Sequence, residues 1–250
     1  MTVEDHFRVV ASVYDSLRTT DEAPVRRIGE LLPDGPVVGL DLGCGTGRYS
    51  RLLHAMLPDG SLLAASDVSA AMLAELRAGR EGQTPVVPLR CTAEELPVRT
   101  GSLDLVTAFN SVHHFDLEPF LAEIARALKA GGRLFVYTRT PEQNARTIWG
   151  RLFTGFTERE QRLFSEAALR DAVDRTQGLR LVQIQSFSHS RSSTPERLRA
   201  QAEGRHYSTF SLYQPDELRQ AIAVFLARLP GPEVSWVDEH LLLVAAARSL

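Results

Sequence analysis

The sequence predicts an α/β fold: a doubly wound, mostly parallel seven-stranded sheet carrying a helical cap. Three observations predict it. From about residue 36 to 139, short apolar runs rich in β-formers alternate with amphipathic helical stretches. The first run ends in a glycine-rich turn, Asp41-Leu42-Gly43-Cys44-Gly45-Thr46-Gly47, that opens into a helix. The runs are also apolar along their length, as in strands covered by helices on both faces of a parallel sheet.

The elements follow in order. Pro36 to Leu42 reads as the first strand and Gly47 to Met56 as a helix stopped by Pro58-Asp59-Gly60. Ser61 to Ser66 is the second strand, and Ser69 is placed to cap the helix Ala70 to Ala78, because its hydroxyl accepts from an orphan N–H. Val86 to Arg90 and Leu103 to Phe109 give the third and fourth strands. Helix Leu117 to Lys129 is broken by Gly131-Gly132 before the fifth strand, Arg133 to Tyr137. Beyond residue 140, Ala145 to Phe156 and Glu166 to Thr176 read as helices and Leu179 to Phe187 as the sixth strand. Residues 190–232 read as an insertion with helices Pro195 to Glu203 and Pro215 to Leu229, and Trp236 to Ala247 closes the chain as an apolar strand. The domain reading is an N-terminal helical lid over 1–35, a core over 36–189 and 233–250, and an acceptor cap over 190–232.

Bulk properties narrow the function. A formal net charge of −3 gives no basic footprint for nucleic acid. No stretch approaches the ~20 apolar residues that span a bilayer, and the start shows no basic region followed by an apolar run. Cys44 and Cys91 lie in or beside predicted strands and read as reduced thiols. The absence of a Cys/His cluster argues against a zinc site. These features predict a cytoplasmic protein with a small-molecule partner, no nucleic acid, no membrane and no metal. Oligomeric state is left open.

Glycines where a strand meets a helix allow positive φ and let a ligand touch the main chain, while the helix N-terminus favours an anionic group. The spacing is GxGxG. The dinucleotide fingerprint GxGxxG would need a further glycine where Arg48 stands. Asp67 lies 20 residues after Gly47 at the end of the second strand, where a carboxylate can accept from both ribose hydroxyls.

With these residues in place the sequence resembles class I (Rossmann-like) S-adenosylmethionine-dependent methyltransferases, most of all the small-molecule group that includes the quinone-biosynthesis C-methyltransferases. Five stretches carry the resemblance: Val13-Tyr14-Asp15, the loop Asp41 to Gly47, Ser66 to Ser69 with Met72, Ala93 to Pro97 through Ser102 to Val106, and Leu128 to Leu134. The resemblance implies S-adenosyl-L-methionine as methyl donor. It implies that Asp41, Gly43, Gly45 and Gly47 contact the methionine half, that Asp67 holds the ribose and that Val68 packs on adenine. It implies Thr92, Ala93 and Glu94 at the adenine edge, Asn110 facing the reaction centre and Tyr14 closing over the cofactor. Thr92 stands where the family often has an acid.

Methyl transfer from a sulfonium is an in-line displacement, served mainly by alignment and exclusion of water. A base is needed only when the nucleophile arrives protonated. His113 and His114, just after the fourth strand, are the candidate catalytic bases. His206, Tyr207 and Tyr213 are placed to reach the acceptor. Phe153, Phe156, Phe164 and Phe210 offer an apolar wall, and Arg139, Arg146, Arg191 and Arg205 enough guanidinium for an anion. The rival readings are a non-catalytic S-adenosylmethionine-binding protein and a nicotinamide-dependent oxidoreductase.

Overall fold

A computed structural model describes residues 15, 17–78 and 86–248. Tyr14 and the rest of residues 1–14 of the expected lid lie outside these described residues. One seven-stranded sheet organises the chain, in the order β3-β2-β1-β4-β5-β7-β6. The strands are β1 (Val38–Leu42), β2 (Leu62–Ser66), β3 (Val87–Leu89), β4 (Leu103–Phe109), β5 (Leu128–Thr138), β6 (Leu179–Ser193) and β7 (Val234–Ala247). The first five pair in parallel, whereas β7 runs antiparallel to both β5 and β6. Strand order reverses between β2 and β4 on either side of β1, which opens a crevice at the carboxyl ends of those strands.

Ten described helices accompany the sheet. They are α1 (Glu22–Leu31), α2 (Arg48–His54), α3 (Ala70–Ala78), α4 (Leu117–Ala127), α5 (Pro141–Arg146), α6 (Ile148–Leu152), α7 (Phe156–Arg159), α8 (Glu166–Arg175), α9 (Pro195–Glu203) and α10 (Pro215–Ala227). The sheet buries its two faces in separate cores. Leu40, Leu42, Val106 and Val136 pack under α4 and α8 with Phe120, Ile124 and Val173. Leu63, Leu105, Phe135 and Val244 pack under α1, α2 and α3 with Ile28, Leu53 and Leu76. A third cluster, built on Trp149, Phe153, Phe156, Phe210 and Phe225, is assembled by α6, α7, α9, α10 and the 3-10 turn Ser208–Leu212.

The last three strands depart from the sequence reading. β5 starts at Leu128 directly after α4, and the stretch around Gly131 (φ +78°) forms a bulge within the strand rather than a separate turn. β6 runs on to Ser193 and β7 begins at Val234, so 190–193 belong to a strand rather than to the insertion. β5 ends at Thr138, opposite Leu241, while β6 and β7 stay paired from Phe187↔His240 to Ser193↔Val234. That two-stranded extension stands beyond the carboxyl end of β5. The expected helix from Ala145 to Phe156 is broken into α5, α6 and α7. Gly150 is why the first break is tight, because a Cβ there would meet the Asn144 carbonyl at 2.3 Å.

Gly47 caps α2 in the left-handed conformation (φ +82°), and a Cβ would meet Leu76 Cδ1 at 2.2 Å. Gly101 has φ +62° with nothing within 4 Å of an added Cβ. Gly47→Ala is therefore expected to destabilise by roughly 2–4 kcal/mol, combining backbone strain with overpacking. Gly101→Ala is expected to lose only about 1 kcal/mol. Urea midpoints check this, and equal losses would remove the Leu76 contact from the account.

Candidate active site

Two carboxylates hold the glycine loop. Asp41 on β1 is 1% exposed and accepts from Ser50 Oγ of α2 at 2.5 Å and from Thr107 Oγ1 of β4 at 2.7 Å. Asp67 follows β2. Its Oδ2 accepts from the Gly45 N–H at 2.9 Å and its Oδ1 from the Ser69 N–H at 2.8 Å. Cys44 N donates to the Ser66 carbonyl at 2.9 Å. These bonds stitch the loop to both neighbouring strands and leave Gly43, Gly45 and Gly47 at positive φ of +63°, +56° and +82°.

Beyond the loop lies a cavity of about 180 Å³, here the loop cavity, far larger than the space one water needs. Gly43, Gly45, Asp67, Val68, Ala93, Glu94 and Asn110 line it, so seven of the residues expected at the cofactor come together. Three do not. Asp41 sits behind the loop with its carboxylate spent on two hydroxyls, a supporting position rather than a lining one. Gly47 faces Leu76. Thr92 is exposed, while Cys91, Ala93 and Glu94 on either side of it line the cavity. Val68 leaves an apolar side chain 36% exposed at this opening. Asn110 holds φ +53°, a conformation that asparagine tolerates better than most residues, and its N–H donates to the Tyr137 carbonyl at 2.7 Å. The sequence reading missed Tyr49 and Phe109, whose rings stack at 4.4 Å, as well as Ser111 and Phe115. As periodic apolar or small residues they looked like core; their one signal is position, just after the loop or at the end of β4.

A second cavity of about 150 Å³, the cap cavity, lies between the sheet edge, the β6–β7 extension and the third apolar cluster. It adjoins the first, since Arg18, Arg48, Tyr49, Asn110 and His114 line both. His113 lines the cap cavity only. Burial, followed by the positive charges of Arg162, Arg18 and Arg139, lowers its pKa to about 3, which leaves a neutral and weakly basic imidazole. His206 and His240 also line it, and burial pushes both well below the usual histidine range. Phe156 and Tyr207 form part of the wall, whereas Phe153, Phe210 and Tyr213 belong to the third cluster's interior and Phe164 packs on the first. Arg139 and Arg191 line the cavity. Arg146 instead pairs with Glu239 at 2.6 Å on the surface, and Arg205 donates to the Phe210 carbonyl. Asp21, His189 and His240 bring donor atoms within 4.8 Å of one another. Guanidinium groups already use that cluster, with Arg191 Nη2 2.6 Å from Asp21 Oδ1 and Arg139 Nη2 3.3 Å from His240 Nε2.

A family model described as "Methyltransferase domain" matches residues 40–136, the stretch from Asp41's strand through most of β5. The chain carries a class I, S-adenosylmethionine-dependent methyltransferase domain. A malonyl-[acyl-carrier protein] O-methyltransferase from Alcanivorax borkumensis is 37% identical over 137 residues, 54% of this chain and 46% of that protein. The chain spans about half the length of the curated relatives it matches. Among solved structures, the YcgJ protein from Bacillus subtilis is 18% identical with a TM-score of 0.65, covering 92% of this chain and 100% of that one. Geranyl diphosphate C-methyltransferase from Streptomyces coelicolor A3(2), complexed with Mg2+, geranyl diphosphate and S-adenosyl-L-homocysteine, is 20% identical. Its TM-score is 0.55, with 91% of this chain and 79% of that chain covered. These two likenesses speak to the fold.

The loop cavity of the methyltransferase domain fits S-adenosylmethionine. A Cβ on Gly43 would meet Ser111 Cβ at 2.5 Å, so the loop lies against the end of β4 as only glycine permits. Asp67 lines the cavity with a carboxylate, the acceptor type a ribose hydroxyl needs. The apolar faces of Val68, Ala93 and Phe115 suit an adenine ring beside Glu94. No helix among the described residues is long and apolar enough to cross a membrane.

Asp41 titrates unusually. Burial is the main cause that raises its pKa from 3.8 to about 6; the hydroxyls of Ser50 and Thr107 oppose the rise and the charge of Asp67 adds to it. The folded state thus holds this proton more tightly than the unfolded chain. Its stabilising contribution is complete below pH 3.8 and is lost as pH rises through about 6, a difference on the order of 3 kcal/mol at most. Asp41→Asn, which keeps the shape and does not titrate, is expected to flatten that decline. Urea midpoints of both proteins between pH 4.5 and 7.5 test it; parallel profiles would place the titration elsewhere.

Proposed function

We propose that the chain is a cytoplasmic S-adenosylmethionine-dependent methyltransferase acting on a small-molecule acceptor seated in the cap cavity. One observation carries the reading: the loop cavity and the cap cavity adjoin, with Asn110 and His114 on the boundary. A donor in one and an acceptor in the other would meet at the end of β4, the geometry an in-line displacement needs. When bound, S-adenosylmethionine supplies an electrophilic methyl group on sulfonium sulfur.

The chain's own residues bind, orient and exclude water. Asp67 and the loop N–H groups orient the ribose and the amino-acid end of the donor, and Val68 with Ala93 holds the base. Tyr49 and Phe109 form an apolar wall beside the reacting centre. The N-terminal segment to residue 35 acts as a lid, and the insertion between β6 and β7 acts as the acceptor cap over a core that includes all of both strands. Arg18, Arg139 and Arg191 line the cap cavity, while the chain as a whole is acidic, which disfavours nucleic acid. The likeness to malonyl-[acyl-carrier protein] O-methyltransferases over half their length supports transfer to a metabolite-sized group. Cys44 and Cys91 are free thiols, in keeping with a reducing compartment.

Alignment, rather than proton abstraction by His113, is the proposed source of rate. With S-methyl-labelled donor and a fractionated cell extract, label is expected in the low-mass fraction. Label in protein or nucleic acid alone, or none with a donor that binds, would defeat the small-molecule reading. In the same assay His113→Gln is expected to keep turnover within about tenfold of wild type, whereas loss of a general base removes roughly 10²–10⁴-fold.

A further inference from the structure

The charged side chains of the cap cavity answer one another. Asp21 accepts from Tyr137 Oη at 3.0 Å and Arg191 at 2.6 Å. Glu160 accepts from Arg162 Nε at 2.8 Å and Thr209 Oγ1 at 2.6 Å. Asp238 accepts from the Trp236 indole at 2.9 Å and from Arg191 at 3.3 Å. Arg139 is hydrogen-bonded to Tyr207 and lies 3.5 Å from Asp238. Arg48 donates to Thr20 Oγ1 at 2.6 Å, and Arg18 and Arg197 have partners as well. A charged ligand would have to break into these pairs, and stranding one buried partner is costly.

The neutral side chains are the reverse. Thr138 at the end of β5, Asn144 of α5, His206 after α9 and His240 of β7 line the same cavity, each less than a tenth exposed. Among the described residues, the Thr138 hydroxyl and the Asn144 amide make no hydrogen bond. His206 Nδ1 lies 3.0 Å from the Gln201 carbonyl. A carbonyl only accepts, so the ring proton is on Nδ1; burial keeps the ring neutral, and Nε2 carries an unused lone pair. His240 has the opposite tautomer. The Arg139 guanidinium can only donate to its Nε2, at 3.3 Å, so the proton is on Nδ1, and that buried N–H has no partner.

The cavity thus presents one fixed acceptor, one fixed donor, and a hydroxyl and an amide able to do either. A ligand that displaces water from such groups has to return their hydrogen bonds, because each stranded group costs roughly 1–3 kcal/mol. A carboxylate has no hydrogen for the His206 lone pair, and an ammonium has no lone pair for the His240 N–H. A hydroxyl has both. Trp149 and Phe156 add apolar wall to a space of about 150 Å³, enough for a small carbon frame. We propose that the methyl acceptor is an uncharged, hydroxyl-bearing small molecule held by Thr138, Asn144, His206 and His240. This substrate class rests on the methyl-transfer reading above.

The full chain, S-methyl-labelled donor and the low-mass fraction of a cell extract test this, once that fraction has passed through anion- and cation-exchange resins. The neutral flow-through is expected to hold most of the acceptor activity. Acetic anhydride, which caps hydroxyls but not amides, is expected to abolish it, and mild alkali to restore it by removing the acetyl esters. Asn144→Leu and His206→Phe are each expected to raise the KM for that flow-through roughly tenfold, while S-adenosylhomocysteine affinity by calorimetry stays unchanged. His206→Gln, whose amide oxygen can take the place of Nε2, is expected to recover part of the loss. Acceptor activity that stays on either resin, survives acetylation or is indifferent to both substitutions would overturn the proposal. Failure of the chain to bind S-adenosylhomocysteine at all would instead defeat the methyl-transfer reading beneath it.

Discussion

The glycine loop depends on two acidic side chains that hold it from opposite sides. Asp41 ties β1 to α2 and β4 through hydroxyls, and Asp67 reaches from β2 to the Gly45 N–H. A loop with three residues at positive φ has little side-chain packing of its own. Without these acceptors its N–H groups would be free to turn to water, and the crevice beside β1 would lose its floor. The arrangement carries a cost in charge, because Asp41 is buried and Asp67 is near enough to raise its pKa further. A cation placed above the loop relieves both effects, since opposite charge favours the ionised form. The donor of this methyltransferase domain is such a cation.

The second structural device is the length of β6 and β7. A sheet whose strands all ended with β5 would leave the cap attached only by two connections. Here the paired extension from Phe187 to Ser193 rises past Thr138 and supplies Arg191, Asp238 and His240 to the cap cavity. Asp21, at the start of α1, is drawn in by Arg191 and Tyr137. Arg191 and Asp21 are 17% and 6% exposed at their side chains, so a surface pair's weakness from solvent screening does not apply. Removing one partner would strand the other. Asp21, β5 and the β6–β7 pair are thereby tied into one wall.

Much of this was readable in the sequence, for physical reasons that differ by element. The loop and Asp67 were legible because glycine spacing and a strand-end acid are local requirements of a ligand. Helices α3, α8, α9 and α10 were legible from apolar period and flanking Ser, Thr or Pro. The strand extension was not. Ser188 to Ser193 alternate polar groups with His189 and Arg191, which looks like an insertion until it is known that one face lines a cavity. The family resemblance implied Asp41 as a contact, yet its carboxylate turns to Ser50 and Thr107. The resemblance implied Thr92 at the adenine edge, but its side chain is exposed while Cys91, Ala93 and Glu94 line the cavity. The Arg139 cluster is built from positions 21, 139, 191, 207, 238 and 240, and no spacing rule connects residues that far apart.

The two cavities also divide charge. Asp67 lines the loop cavity with Asp41 behind it; around the cap cavity, arginines outnumber acids. At low dielectric such a division selects ligands by sign as well as shape. Arg18 and Arg48, common to both linings, mark the boundary.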